Sequence, residues 1–221
     1  DVITKVNNRR IEDIIKERLN LTPASNYSTQ LRDIATSLLR TNDTIVRIEF
    51  SREGIVGDKV LKAYPQNQVN IYKRYQIQDT SFKFIGKDIA YINNGTLKRA
   101  NVPRIWDAMK GSKGLIIDIR NYPSDFPINE LSGYLMPEKT PFVKFTTGSI
   151  FTPGLFTFVD TLISVGHGNN DYYKGKICIL VNELSASSAE FHAMAYRAAP
   201  GAVVIGSTTS AADGNVSEIY L

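Results

Sequence analysis

An α/β protein with a mainly parallel sheet is what this sequence predicts. Short Val- and Ile-rich runs such as Gly114-Leu-Ile-Ile-Asp118 and Lys176-Ile-Cys-Ile-Leu-Val181 recur through the second half of the chain, and helix-like stretches separate them. The 221 residues are 43% apolar and 22% charged. That balance builds a core and fits neither a disordered tail nor a fibrous repeat.

Residues 1–51 read as strand, helix, helix, strand: Val2–Val6, Arg10–Leu19, Tyr27–Arg40 and Thr44–Phe50. The second helix places Leu31, Ile34, Ala35, Leu38 and Leu39 at helical spacing, with Ser25 or Ser28 as its N-cap. The last strand alternates, as suits one buried face. Residues 52–81 read as a connecting segment with room for one strand, and Gln66–Asn70 is its polar stretch.

From Phe82 the pattern strengthens. Phe82–Asn93 suggests a strand pair, Val102–Met109 a helix, Gly114–Arg120 a buried strand and Pro127–Leu135 a helix. Further strands are expected at Phe142–Thr146, Thr161–Val165 and Lys176–Val181. A helix should run from Ser187 to Arg197, a strand over Ala202–Gly206, and another should begin at Val216. In such sheets the chemistry sits on loops leaving the carboxyl ends of strands. Two loops qualify, after Asp118-Ile-Arg120 and after Leu180-Val181.

The charge balance, 26 basic against 22 acidic residues, is +4. Basic residues fall singly or in pairs such as Arg9-Arg10 and Lys73-Arg74, so the sequence presents no nucleic-acid stripe. No apolar run approaches a bilayer span. The one cysteine, Cys178, cannot form an internal disulfide and reads as a small core residue. Two histidines and one cysteine make a zinc site from those ligands implausible, and no cofactor is called for.

The chemistry-bearing stretch is Lys176 to Glu190: a buried strand, a short turn, and a helix opening with small residues and serines. A serine at that joint has unpaired backbone N–H groups beside it to hold an oxyanion, and a helix dipole that favours negative charge. The plain alternative is an N-cap serine, and Ser187-x-x-Glu190 is also a capping-box pattern. Asp118 beside Arg120 reads as a structural ion pair at a strand end. Tyr72, Tyr75, Phe151, Phe156 and Phe158 are aromatics for which packing is the default role and a peptide groove the alternative.

These residues resemble a family. Val181-Asn-Glu-Leu-Ser-Ala-Ser-Ser-Ala-Glu190 followed by Ala202-Val-Val-Ile-Gly206 looks like the active-site helix and next strand of the C-terminal processing peptidases, or tail-specific proteases. Gly114-Leu-Ile-Ile-Asp-Ile-Arg-Asn121 and Lys87-Asp-Ile-Ala-Tyr-Ile92 resemble two further strands of that family. Asp1-Val-Ile-Thr-Lys-Val-Asn-Asn8 resembles a segment of its PDZ domain, with Tyr27–Phe50 as the closing helix and strand. The likeness touches about two-thirds of the chain and is patchy over residues 52–80 and 136–175.

The resemblance implies a ClpP/crotonase-like α/β core over residues 82–221, preceded by a partial PDZ-like α+β module over 1–51. It implies Ser187 as nucleophile, with the N–H of Ser188 and of Ser124 or Asp125 as oxyanion donors. Polypeptide substrates, unfolded or offering free C-termini, and a bacterial periplasmic or envelope location follow from the same likeness. The family's lysine base is missing: Ala212 or Asp213 stands at its place in Gly206-Ser-Thr-Thr-Ser-Ala-Ala-Asp-Gly-Asn215. The Gly-Gly that supplies an oxyanion donor is replaced by Arg120-Asn-Tyr-Pro-Ser-Asp125. Tricorn-type relatives take a histidine from upstream, so the base is expected before Asp1, and the 221 residues alone are expected to be inactive.

The histidines present are weak substitutes. His192 lies five residues past Ser187, so on a helix the two side chains diverge by about 140°. His167 sits in a Gly-flanked loop, a poor platform for a base. Two other readings remain: a non-catalytic peptide-binding scaffold that kept the fold, and a crotonase-type acyl-CoA enzyme.

Overall fold

A computed structural model describes residues 1–70 and 79–214, in two compact units, Asp1–Gln76 and Ile77–Leu221. The expected strand from Val216 and the aromatics Tyr72 and Tyr75 lie outside the described residues.

Among the described residues the first unit is one antiparallel sheet, two α-helices and a short 3-10 turn at Gln66–Gln68. Strands β1 (Val2–Val6), β2 (Arg9–Arg10), β3 (Ile45–Arg52) and β4 (Ile55–Lys62) stand in the order β2-β1-β3-β4. Asn7 and Asn8, both at positive φ (47° and 63°), make the tight turn that pairs Val6 with Arg9. Glu53 (φ 51°) and Gly54 (φ 84°) do the same between β3 and β4, which pair along their whole length. The one strand for which the connecting segment over 52–81 had room is β4, set against β3 by a two-residue hairpin.

Helix α1 (Ile11–Leu19) begins after the short strand β2, which takes up Arg10. Helix α2 (Tyr27–Ser37) ends before the expected Arg40, and its cap is neither Ser25 nor Ser28. Asn26 caps it, accepting the Thr29 N–H at 3.0 Å. Val6, Ile14 and Val46 form the small core, with Ile3, Ile11, Leu38 and Ile48 against it.

The second unit is built on a five-stranded sheet in the order β13-β12-β7-β6-β5. Its strands are β5 (Phe82–Ile85), β6 (Ile89–Asn93), β7 (Gly114–Asp118), β12 (Lys176–Val181) and β13 (Val203–Gly206). Only the β5–β6 pair is antiparallel. Helices α3 (Val102–Met109), α4 (Ile128–Leu135) and α5 (Ser188–Arg197) supply the other side of the core.

Alternation in β12 decides which face is core. Ile177, Ile179 and Val181 are buried, while Cys178 and Leu180 are half-buried on the opposite face. Cys178 is thus corrected from core residue to half-buried, and burial still pushes its thiol up. Ile92, Ile117 and Ile179 are fully enclosed, each worth about 1.5–3 kcal/mol by its burial.

Between α4 and β12 the chain makes a ribbon: β8 (Thr140–Val143) pairs with β11 (Ile163–Val165), and β9 (Thr146–Gly148) pairs with β10 (Phe156–Phe158). The single strand expected over Phe142–Thr146 is two, and β10 was not anticipated. Three-residue strands interrupted by bends carry too little periodicity to be read.

Candidate active site

Ser187 stands where β12 gives way to α5, at the carboxyl end of a parallel strand. Its backbone is at φ 52°, ψ −120°. That conformation costs an L-residue on the order of 1–3 kcal/mol and survives only where the surroundings hold it.

Three anchors hold it. Asn182 folds the strand end into a turn, its side-chain oxygen accepting the Leu184 N–H at 3.0 Å. Ser185, fully buried, accepts the Asn182 N–H at 3.1 Å and donates its hydroxyl to the Ile119 carbonyl at 2.7 Å. It thereby ties the turn to the loop leaving β7, the neighbouring parallel strand. Glu190, on the first turn of α5, accepts the Ser187 N–H at 3.0 Å.

The same Glu190 carboxylate reaches the loop after β13. It accepts the Thr209 hydroxyl at 2.6 Å and the N–H groups of Ala211 and Ala212 at 2.8 and 3.0 Å. Ala211 is itself at positive φ, 50°. The capping-box glutamate read from the sequence is thus also the clamp on the loop that carries Ala212 and Asp213. Asp213 is raised, first by burial and then by the Glu190 charge.

Ser188 and the pair Ser124 and Asp125 lie on the segments that follow β12 and β7. Ser188 is the first residue of α5, and its N–H makes no protein hydrogen bond among the described residues. The same holds for the N–H groups of Ser124 and Asp125 in the loop after β7. That loop is fixed from outside: Lys98 Nζ donates to the Ser124 carbonyl at 2.8 Å, and the Asp125 carboxylate accepts the N–H groups of Arg99 and Phe126. Phe126 then stacks on Phe191 of α5 with ring centroids 5.9 Å apart. The loop therefore lies along the first turns of the helix that Ser187 caps.

Neither histidine reaches Ser187. His192 is wholly buried, and its Nδ1–H donates to the Ser188 carbonyl at 2.6 Å. Burial lowers its pKa, only partly opposed by that bond. Its ring packs edge-on against Phe126 and Tyr196. His167 packs on Gly133 of α4, where a Cβ would lie 2.6 Å from the ring. Among the described residues no histidine or lysine side chain is hydrogen-bonded to Ser187.

Asp118 is an ion-pair member. Burial would raise it, but the Arg120 guanidinium at 2.7 and 3.0 Å, the Arg120 N–H and the Tyr91 hydroxyl at 2.8 Å outweigh that and hold it low. Tyr91 is raised by burial and by the same carboxylate. Among the described residues, no group of three or more His, Cys, Asp or Glu is placed to hold a metal ion.

Sequence reasoning passed over Ser185, Phe126 and Phe191. The first had a readable signal, an Asx-turn asparagine three residues before a serine. The aromatic pair had none, because its members lie far apart in the chain.

The sequence profile of peptidase family S41 matches residues 88–221, more than half of the chain. The chain belongs to peptidase family S41. Solved structures agree at the level of fold. Mature CPAF complexed with lactacystin matches with a TM-score of 0.69 at 12% identity, over 99% of this chain and 66% of that one. Mature CPAF in a second structure gives 0.64 at 12% identity, over 99% and 65%. A candidate peptidase from Parabacteroides merdae gives 0.50 at 16% identity, over 91% and 69%. The chain thus spans about two thirds of the length of these proteins. No curated protein sequence matches it. The S41 match includes the Ser187 turn, the β7 loop and the Glu190 clamp.

Proposed function

We propose that this S41 chain carries the nucleophile and oxyanion site of a serine peptidase acting on polypeptides. One observation carries the reading: a serine held at φ 52° on the strand-to-helix joint at the carboxyl edge of a parallel sheet. An N-cap serine needs no such strain, whereas a nucleophile presented on a sharp turn does.

In this reading Ser187 Oγ attacks the scissile carbonyl as a base removes its proton. The Ser188 N–H and that of Ser124 or Asp125 take the developing oxyanion, each such donor being worth about 2.7–4 kcal/mol in the transition state. The tetrahedral intermediate collapses by breaking the C–N bond, the base returns its proton to the leaving amine, and water releases the acyl group by the reverse path. The base comes from outside the described residues, by family resemblance a histidine preceding Asp1. His192 cannot serve without dismantling its own contacts.

The mainly parallel sheet, with helices α3 to α5 sharing its core, supports a ClpP/crotonase-like core. The first unit, a sheet with α2 leading into β3, supports a PDZ-like module that binds chain ends by strand addition, so that substrates are unfolded or C-terminally exposed. A periplasmic or envelope location rests on the resemblance alone. A second reading, a non-catalytic peptide-binding scaffold, is favoured by the lack of a described base at Ser187. Hydrolysis of an unfolded polypeptide by the full-length protein, abolished by Ser187→Ala, separates the two; turnover that persists in the variant overturns the nucleophile assignment.

A further inference from the structure

The ribbon between β8 and β11 is built unlike the rest of the second unit. Every residue from Ile150 to Ile163 is exposed, and Asp160 is the one charged residue between Phe145 and Ile163. Ile150 and Phe151 are 87% and 90% exposed, Phe156 and Phe158 67% and 64%. With typical side-chain areas the exposed apolar side chains of the ribbon sum to on the order of 1,000 Å². Strands β9 and β10 form a sheet of two, so both of their outer edges lack a partner strand among the described residues.

At its base the ribbon runs into the candidate active site. Phe142 and Phe145 lie 5.0 and 6.1 Å from the Phe191 ring, and Phe126 closes on the same ring from the oxyanion loop. The Phe191 N–H donates to the Ser187 carbonyl at 3.1 Å. An apolar path therefore leads from the ribbon to the first turn of α5.

We infer that the ribbon is a substrate arm: it takes an extended, uncharged, apolar polypeptide segment by strand addition along a free edge, and the phenylalanine wall guides that chain to Ser187. The inference rests on the peptidase reading. Three features argue for this occupant: a single carboxylate, Asp160, along the ribbon, with the Lys144 ammonium held over the Phe158 ring at 4.5 Å, free strand edges to pair its backbone, and continuity with the Ser187 turn. A second copy of the chain covering the ribbon would need no such continuity.

The test uses the full-length Ser187→Ala protein and a fluorescent, unfolded polypeptide rich in Phe and Leu and free of charge. Adding Phe151→Asp and Phe156→Asp, both at exposed positions where folding is little affected, is expected to weaken binding at least tenfold. A Lys/Glu-rich polypeptide of equal length should bind neither protein. Equal binding by both proteins overturns the inference. So does a dimer-to-monomer shift on sedimentation with binding unchanged, which assigns the ribbon to self-association. Labelling of the unsubstituted protein by a fluorophosphonate reports on the peptidase reading separately, so failed binding with labelling intact overturns the ribbon assignment alone.

Discussion

Glu190 holds the backbone of Ser187 from within the helix that Ser187 caps, its carboxylate accepting the Ser187 N–H at 3.0 Å while gripping Ala211 and Ala212 on the facing loop. One buried anion thus fixes both the Ser187 turn and the loop after β13. Glu190→Gln keeps the volume but gives the site an NH₂ where it needs an acceptor. The expected cost is about 2–4 kcal/mol of stability, read by urea unfolding, with a large fall in kcat. A variant with native stability and turnover would show that the clamp does not matter.

Strain at Ser187 makes a prediction of opposite sign. Glycine accepts φ 52° without a Cβ penalty, so Ser187→Gly should abolish hydrolysis yet match or exceed the native stability, by up to about 1 kcal/mol. Ser187→Ala keeps the penalty and should gain nothing. Thermal melts of the two variants side by side separate a strained functional residue from an ordinary cap.

Ser185→Ala removes the hydroxyl that joins the Ser187 turn to the β7 loop. It leaves the Ile119 carbonyl and the Asn182 N–H without that partner, an expected loss of about 1–3 kcal/mol. Because the same bond sets the turn against the loop proposed to hold the oxyanion, kcat should fall while KM changes little.

How far these residues could be read in advance depended on how local their signals were. Ser187, Glu190 and the strand before them lie within fifteen residues, and both the strand-turn-helix pattern and the cap survive as sequence. Helix α3 is bounded as its periodicity predicts, and burial of Val102, Ile105, Trp106 and Met109 confirms its face. Strand β4 was allowed for but not placed, because its register comes from two residues, Glu53 and Gly54, whose positive φ marks a hairpin only once both flanking strands are known. The reach of Glu190 to residues 209–212 is invisible for the opposite reason: a buried carboxylate collecting distant N–H groups leaves no periodicity at all.

Gly206 gives a test at the far end of that clamp. It sits at φ 141°, and a Cβ there would lie 1.8 Å from the Val181 carbonyl oxygen. Gly206→Ala must push β13 away from β12 and with it the loop that Glu190 holds. A loss of at least about 2 kcal/mol and of turnover together is expected, measured by denaturant unfolding and peptide hydrolysis.

Stability should also fall on the acid side in two stages. His192 is buried with its pKa below the ordinary 6.5, so the folded state resists its protonation. Its contribution is complete above pH 6.5 and is lost as pH falls from there through the folded value. Asp118, held below 3.8, contributes fully above that value and loses its part as pH falls through its own lower one. Urea midpoints measured from pH 8 to pH 3 should decline first near pH 6. In His192→Gln that first decline should vanish while the second remains.

The central claim is that Ser187 is an activated nucleophile, and covalent labelling tests it most directly. The full-length protein is treated with a fluorophosphonate and digested, and the modified peptide is mapped by mass spectrometry. The expected result is a single adduct on Ser187, absent after denaturation and absent in Ser187→Ala. No adduct on the native full-length protein, or an adduct on another serine with Ser187 unmodified, would contradict it.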